Sequence, residues 1–253
     1  MIRRRCLKVL KLELNMAVKS LLLDIDGVLV RDKLLLEHVN DNCVRYVQAK
    51  LPESKDPQRV NELLYLVHGH TARGLSNGFQ LDTSDFNEKV YDKRLMDHLA
   101  EILYGTEFQQ EAKEIYEFTQ KGWNVTLFSN APSMWCTMVA RAIGDTVYIR
   151  CPGDNVMESP LKPEAAAYKD FSPVQTHIFV DDSLKNLGTA RWLPNWHPVH
   201  FDAGYANDSR LVPNYKPWCP TIGSIWELGV FLDTADFLME RHAPSDCPYR
   251  SDT

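Results

Sequence analysis

The chain has 253 residues, 44% hydrophobic and 25% charged, with a formal net charge of -6. That length supports a sizeable core in one or two domains, and the negative balance argues against a nucleic-acid polymer as partner, which calls for a basic excess. No apolar run approaches the ~20 residues that span a bilayer, so no membrane association is expected.

Residues 1–17 are basic at Arg3, Arg4 and Arg5 and lack both a clear apolar stretch and a small-residue cleavage site, so they read as an N-terminal extension. Residues 18–23 form a short apolar run stopped by Asp24-Ile25-Asp26-Gly27, the pattern of a buried strand entering a loop. Residues 32–105 lack any strong strand pattern. They carry helical patterns at about 35–51, 57–67, 83–91 and 95–103, with a glycine-rich stretch from Gly69 to Gly78 among them. This segment reads as a helical cap inserted after the first strand.

Beyond it, strands are expected at 124–128, 177–180 and 197–201, and helices at 109–120, 132–143 and 163–169, the last with a proline in its first turn. Strands alternating with helices imply a parallel sheet, which binds ligands at the carboxyl ends of its strands. The fold class is therefore α/β: a Rossmann-like core from 18–31 and 106–235, a cap from 32–105, and a tail from 236–253. The six cysteines are scattered, with no Cys-x-x-Cys pair and no histidine cluster at zinc spacing, which favours reduced thiols and a cytoplasmic setting.

The polar groups at the strand ends suit one chemistry. Phosphoryl transfer through a covalent intermediate needs a nucleophile, a proton donor for the leaving group, a divalent metal and a cation for the phosphate oxygens. Asp24 and Asp26, two apart, share one face of an extended strand until Gly27 turns the chain. Ser129 offers a hydroxyl and Lys162 a point charge, and Asp181 and Asp182 offer hard oxygen ligands that suit magnesium.

The strings LLLDIDGVL, VTLFSN, SPLKPE and FVDDSLKNL, in that order, resemble the four motifs of the haloacid dehalogenase superfamily. The resemblance implies that Asp24 is phosphorylated and that Asp26 acts as general acid and then base. It implies that Ser129, Asn130 and Lys162 hold the phosphate. Mg2+ would sit on the Asp24 carboxylate, the Asp26 backbone carbonyl and Asp182, with Asp181 bound directly or through water. An acid at position 26 points to phosphatases and the related phosphomutases; a catalytically inactive binding protein of the same fold is the alternative from another class. HGHTARGL from His68 and GFQLDTSDF from Gly78 resemble the pyrimidine 5'-nucleotidase branch, with departures at His70 and at Gly27-Val28. The expected ligand is a small phosphorylated metabolite, with a nucleoside 5'-monophosphate first and a phosphorylated acid or sugar next. His70 and Arg73 are the candidates for specificity, their donors meeting a base or a carboxylate.

Overall fold

The computed structural model describes residues 19–144, 146–204 and 219–239. The expected extension at 1–17 and the last part of the expected tail, 240–253, lie outside the described residues. Six parallel strands form one sheet: β1 (Lys19–Leu23), β2 (Trp123–Phe128), β3 (Tyr148–Arg150), β4 (Thr176–Asp181), β5 (Trp196–Phe201) and β6 (Thr221–Ile222), in the spatial order β3-β2-β1-β4-β5-β6. β1 is central, with Leu23 level with Leu127 of β2 and Val180 of β4. Helices cover both faces, so Leu21, Leu22 and Leu23 are all fully buried and the strand reads as an unbroken apolar run.

Between β1 and β2 lie α1 (Lys33–Lys50), α2 (Pro57–His68), α3 (Thr71–Phe79), α4 (Phe86–Val90) and α5 (Lys93–Leu103), followed by α6 (Thr106–Gln120). This is the expected α/β core with helices inserted after the first strand. The starts are chemically marked: Asp32, Asp56 and Asp92 accept backbone N–H groups at the beginnings of α1, α2 and α5, and Pro57 opens α2. After β2 come α7 (Ser133–Ile143), α8 (Leu184–Ala190) following β4, and α9 (Ile225–Met239). Among the described residues no helix is long and apolar enough to cross a membrane.

The glycine-rich stretch forms α3, started by the His70 ring, whose Nδ1 accepts the Ala72 N–H at 3.2 Å, and two local expectations are corrected beside it. Gly74 serves packing, since a Cβ there would lie 2.7 Å from Leu64 Cδ2 and 2.8 Å from Leu64 Cβ of α2. Residues 163–169 form no α-helix: a cis Lys162-Pro163 bond is followed by a single 3-10 turn at Ala165–Tyr168. The helix expected at 83–91 shrinks to α4, because Asp82 and Ser84 form a side-chain-capped turn before it.

Gly74→Ala should decide whether packing or propensity rules α3. Alanine adds about 1 kcal/mol of helix propensity, whereas pushing α3 off α2 costs about 1–3 kcal/mol. The urea midpoint is expected to fall with an unchanged slope; a raised midpoint would show that the two helices have room to spare.

Candidate functional site

The carboxyl ends of β1, β2 and β4 converge on one point. Asp24 extends β1 by one residue, its N–H donating to Val180 O of β4 at 2.9 Å. Asp181 closes β4, and Ser129 follows β2 with its N–H on Arg150 O of β3. Register alone thus carries three of the sequence's candidates to one edge.

Lys162 enters from the loop after β3 and joins them. Its Nζ lies 2.9 Å from Asp24 Oδ2 and 2.7 Å from Asp181 Oδ2, and all three side chains are nearly inaccessible. The ammonium also sits over the Phe128 and Phe179 rings at 5.2 and 5.5 Å. Asn130 fixes the loop that delivers it: its carbonyl accepts the Lys162 N–H at 2.9 Å and its amide donates to Lys162 O at 2.8 Å. Asn130 therefore holds the lysine's backbone from the cleft wall. Ser129 is 2% exposed and lines the cleft, with its Oγ accepting the Ala131 N–H at 3.2 Å.

The two outer acids behave differently. Asp26 lines the cleft, and its Oδ1 accepts the indole N–H of Trp135 at 3.0 Å. Asp182 also lines the cleft and is the exposed member of the cluster. Gly27 makes room for it: φ is +83° there, and a Cβ would lie 2.2 Å from Asp182 Oδ2. The adjacent Asp181 is committed inward, with its oxygens accepting from Lys162, from the Ser183 N–H and from the Asn186 amide.

Four carboxyl groups thus face one lysine. Burial raises the Asp24 carboxyl well above the ordinary range, against the pull of Lys162. Burial likewise carries Asp26 up to about 6, with Trp135 and Lys162 opposing, and Asp182 up to about 6, with Asp181 adding to the effect. Lys162 moves the other way: burial works against its charge, but Asp181 and Asp24 outweigh burial and hold it protonated. A surplus of negative charge in oxygen donors is what a hard dication relieves. Asp24, Asp181 and Asp182 each present a carboxylate oxygen within 4.8 Å of the others, so the donor set fits magnesium.

The helical insertion forms the opposite wall of a cleft of about 560 Å³, using α1, α2, α4 and the His70–Thr71 start of α3. His70 is in this wall, 8% exposed and packed edge-on against Phe86. Arg73 is not among the lining residues. Its guanidinium is bonded to the carbonyls of Val156 and Ser159 and paired with Glu164, so it ties α3 to the core instead of facing a ligand. Three participants escaped the sequence reading. Trp135 and Asn186 sit on helices where an indole or an amide reads as packing, and Tyr65 is an exposed residue of α2 that lines the cleft. Asn186 alone left a trace, as an amide beside the apolar Leu187 and Ala190 of α8.

No protein-family model matches the chain, and no curated protein does. Solved structures do. CbbY from Rhodobacter sphaeroides, in complex with phosphate, superposes with a TM-score of 0.53 at 17% identity over 84% of this chain and 96% of that one. An L-2-haloacid dehalogenase from Xanthobacter autotrophicus with chloropropionic acid covalently bound gives 0.47 at 11% identity, over 85% and 98%. The magnesium-bound hydrolase YfnB from Bacillus subtilis gives 0.44 at 14%, also over 85% and 98%. In fold, the chain is similar to CbbY.

Gly27→Ala should drive the Asp182 carboxylate from its place and, at a φ of +83°, strain the turn beside Asp26 as well. Titration calorimetry is expected to show magnesium affinity lowered more than about tenfold, in line with losses seen when a ligand's placement is disturbed. Unchanged affinity would mean that Asp182 takes no part in holding the ion.

Proposed function

We propose that this chain is a magnesium-dependent phosphate-monoester hydrolase that takes the phosphoryl group onto Asp24. The observation that carries this reading is the pairing of a buried Asp24 with Lys162 while a second acid, Asp26, stands outside that ion pair on the Trp135 indole. Two carboxyl groups in different environments can divide the work of nucleophile and acid.

Lys162 opposes the burial that favours the protonated form of Asp24, and a divalent cation on the same acids would complete that compensation and free a carboxylate oxygen to attack phosphorus. As the P–O bond to the leaving group breaks, Asp26 transfers its proton to the departing oxygen. The bond from Trp135 holds one oxygen of Asp26, a residue that lines the cleft. In the second half Asp26 takes a proton from water, whose oxygen attacks the aspartyl phosphate and returns Asp24 as a carboxylate. Ser129 and Ala131 line the same cleft as Asp24, which suits the hydroxyl and nearby backbone N–H groups to meeting phosphoryl oxygens. Magnesium, held by Asp24 and Asp182 with Asp181 behind, would supply positive charge against the phosphate and the acids. A small phosphorylated metabolite matches the cleft's size, and a nucleoside 5'-monophosphate falls in that class.

Two variants test the division of labour. Asp24→Asn should lower turnover of para-nitrophenyl phosphate by more than about a thousandfold with an unchanged circular dichroism spectrum. Trp135→Phe removes the donor to Asp26 but keeps a ring. It should cost more than about tenfold on an alkyl phosphate, whose leaving group needs a proton, and under about threefold on para-nitrophenyl phosphate, whose leaving group does not. Activity of Asp24→Asn within tenfold of the parent would remove the proposal.

A further inference from the structure

The groups at the base of the cleft act on the phosphoryl group of any ester, so discrimination falls to the walls. Among the described residues, the walls lack a free cation. Among the described residues lining the cleft, Lys162 is the only lysine or arginine, and it is buried at the base between Asp24 and Asp181. Arg73 is consumed by Val156, Ser159 and Glu164. Lys185, near the rim on α8, donates to Leu66 O at 3.0 Å. The single charged residue that the insertion contributes is an acid, Glu62, and it is answered by Arg59 at 3.0 Å and Gln58 at 3.1 Å.

His70 adds no charge either. Burial, reinforced by Arg73, pushes the ring down to about 4. With Nδ1 accepting the Ala72 N–H, the neutral ring keeps Nε2–H as its donor. The rest of the wall is neutral and hydrogen-bonding. Asn61 donates to Asn40 Oδ1 at 3.1 Å and accepts from Thr71 Oγ1 at 2.7 Å. Tyr65 brings a phenol, and Phe86 and Tyr91 bring ring faces.

We infer that the substrate carries no second anionic group: its non-reacting part is an uncharged, hydroxyl-bearing or ring-bearing moiety such as a polyol or a nucleoside. A carboxylate or second phosphate entering this cleft would be desolvated near Asp24, Asp26 and Asp182, and among the described lining residues no lysine or arginine besides the committed Lys162 would meet it. Neutral hydroxyls and rings find donors, acceptors and apolar faces. The inference rests on the phosphatase reading and narrows it, since the phosphorylated acids compatible with the sequence are removed from the class.

The test uses the full chain with magnesium and two esters of the same carbon skeleton, glycerol 3-phosphate and 3-phosphoglycerate, with para-nitrophenyl phosphate as reference. The expected kcat/KM is at least about tenfold higher for glycerol 3-phosphate. Tyr65→Arg, which places a cation on the exposed wall, should narrow that ratio at least about fivefold. An equal or higher kcat/KM for 3-phosphoglycerate, with the aryl phosphate hydrolysed, would overturn the inference alone, as would a ratio unmoved by Tyr65→Arg. No turnover of any ester, the aryl phosphate included, would overturn the phosphatase reading and this inference with it.

Discussion

The site depends on one buried cation. A lysine ammonium 2% exposed is expensive to keep charged, and so is each carboxylate beside it. Lys162 and the Asp24 and Asp181 carboxylates are stable together because each compensates the others, with two aromatic rings lining the space. Much of the surrounding structure serves to keep that trio in register. The parallel pairing of β1 and β4 sets Asp24 beside Asp181. The Asn130 clamp delivers Lys162, and Asn186 occupies the remaining lone pairs of Asp181. Asp26 and Asp182, which line the cleft with Asp24, stand outside that trio.

The helical insertion has a different physical character. It presents amides, a phenol, a neutral imidazole and ring faces to a base dominated by full charges. Its attachment explains the division. Arg73, the cation of α3 nearest the cleft, is spent on the loop that runs from β3 toward Lys162. The residue that ties α3 to the loop before Lys162 therefore does not line the cleft. Gly74 and Leu64 fix α3 against α2, so His70 and Tyr65 belong to one packed unit.

How much of this was legible depends on the range of each interaction. A strand buried on both faces must be apolar throughout, so β1 and β4 stand out, and the acids that end them stand out by contrast. The motif order supplied Ser129, Lys162 and Asp182 in the same way. β3, with three residues, and β6, with two, are too short to show a period. α3 was obscured because glycines weaken a helical pattern, and Gly74 answers a close helix approach that only the fold reveals. Residues 163–169 carry the proline expected of a helix start, but the chain there turns to deliver Lys162 and completes a single 3-10 turn. Arg73 looked available because nothing local binds it; its partners are more than eighty positions away. Trp135 was invisible for the same reason, since its partner Asp26 lies 109 residues earlier.

Covalent capture of the phosphoryl group is the most direct measurement of the central claim. Enzyme mixed with labelled para-nitrophenyl phosphate and magnesium, quenched in acid during turnover and digested with trypsin, should carry one phosphoryl group on the peptide Ser20–Arg31, at Asp24. The same treatment of Asp24→Asn should leave that peptide unlabelled. Steady hydrolysis with no label on that peptide, or with label on another, would contradict the assignment of Asp24 as nucleophile.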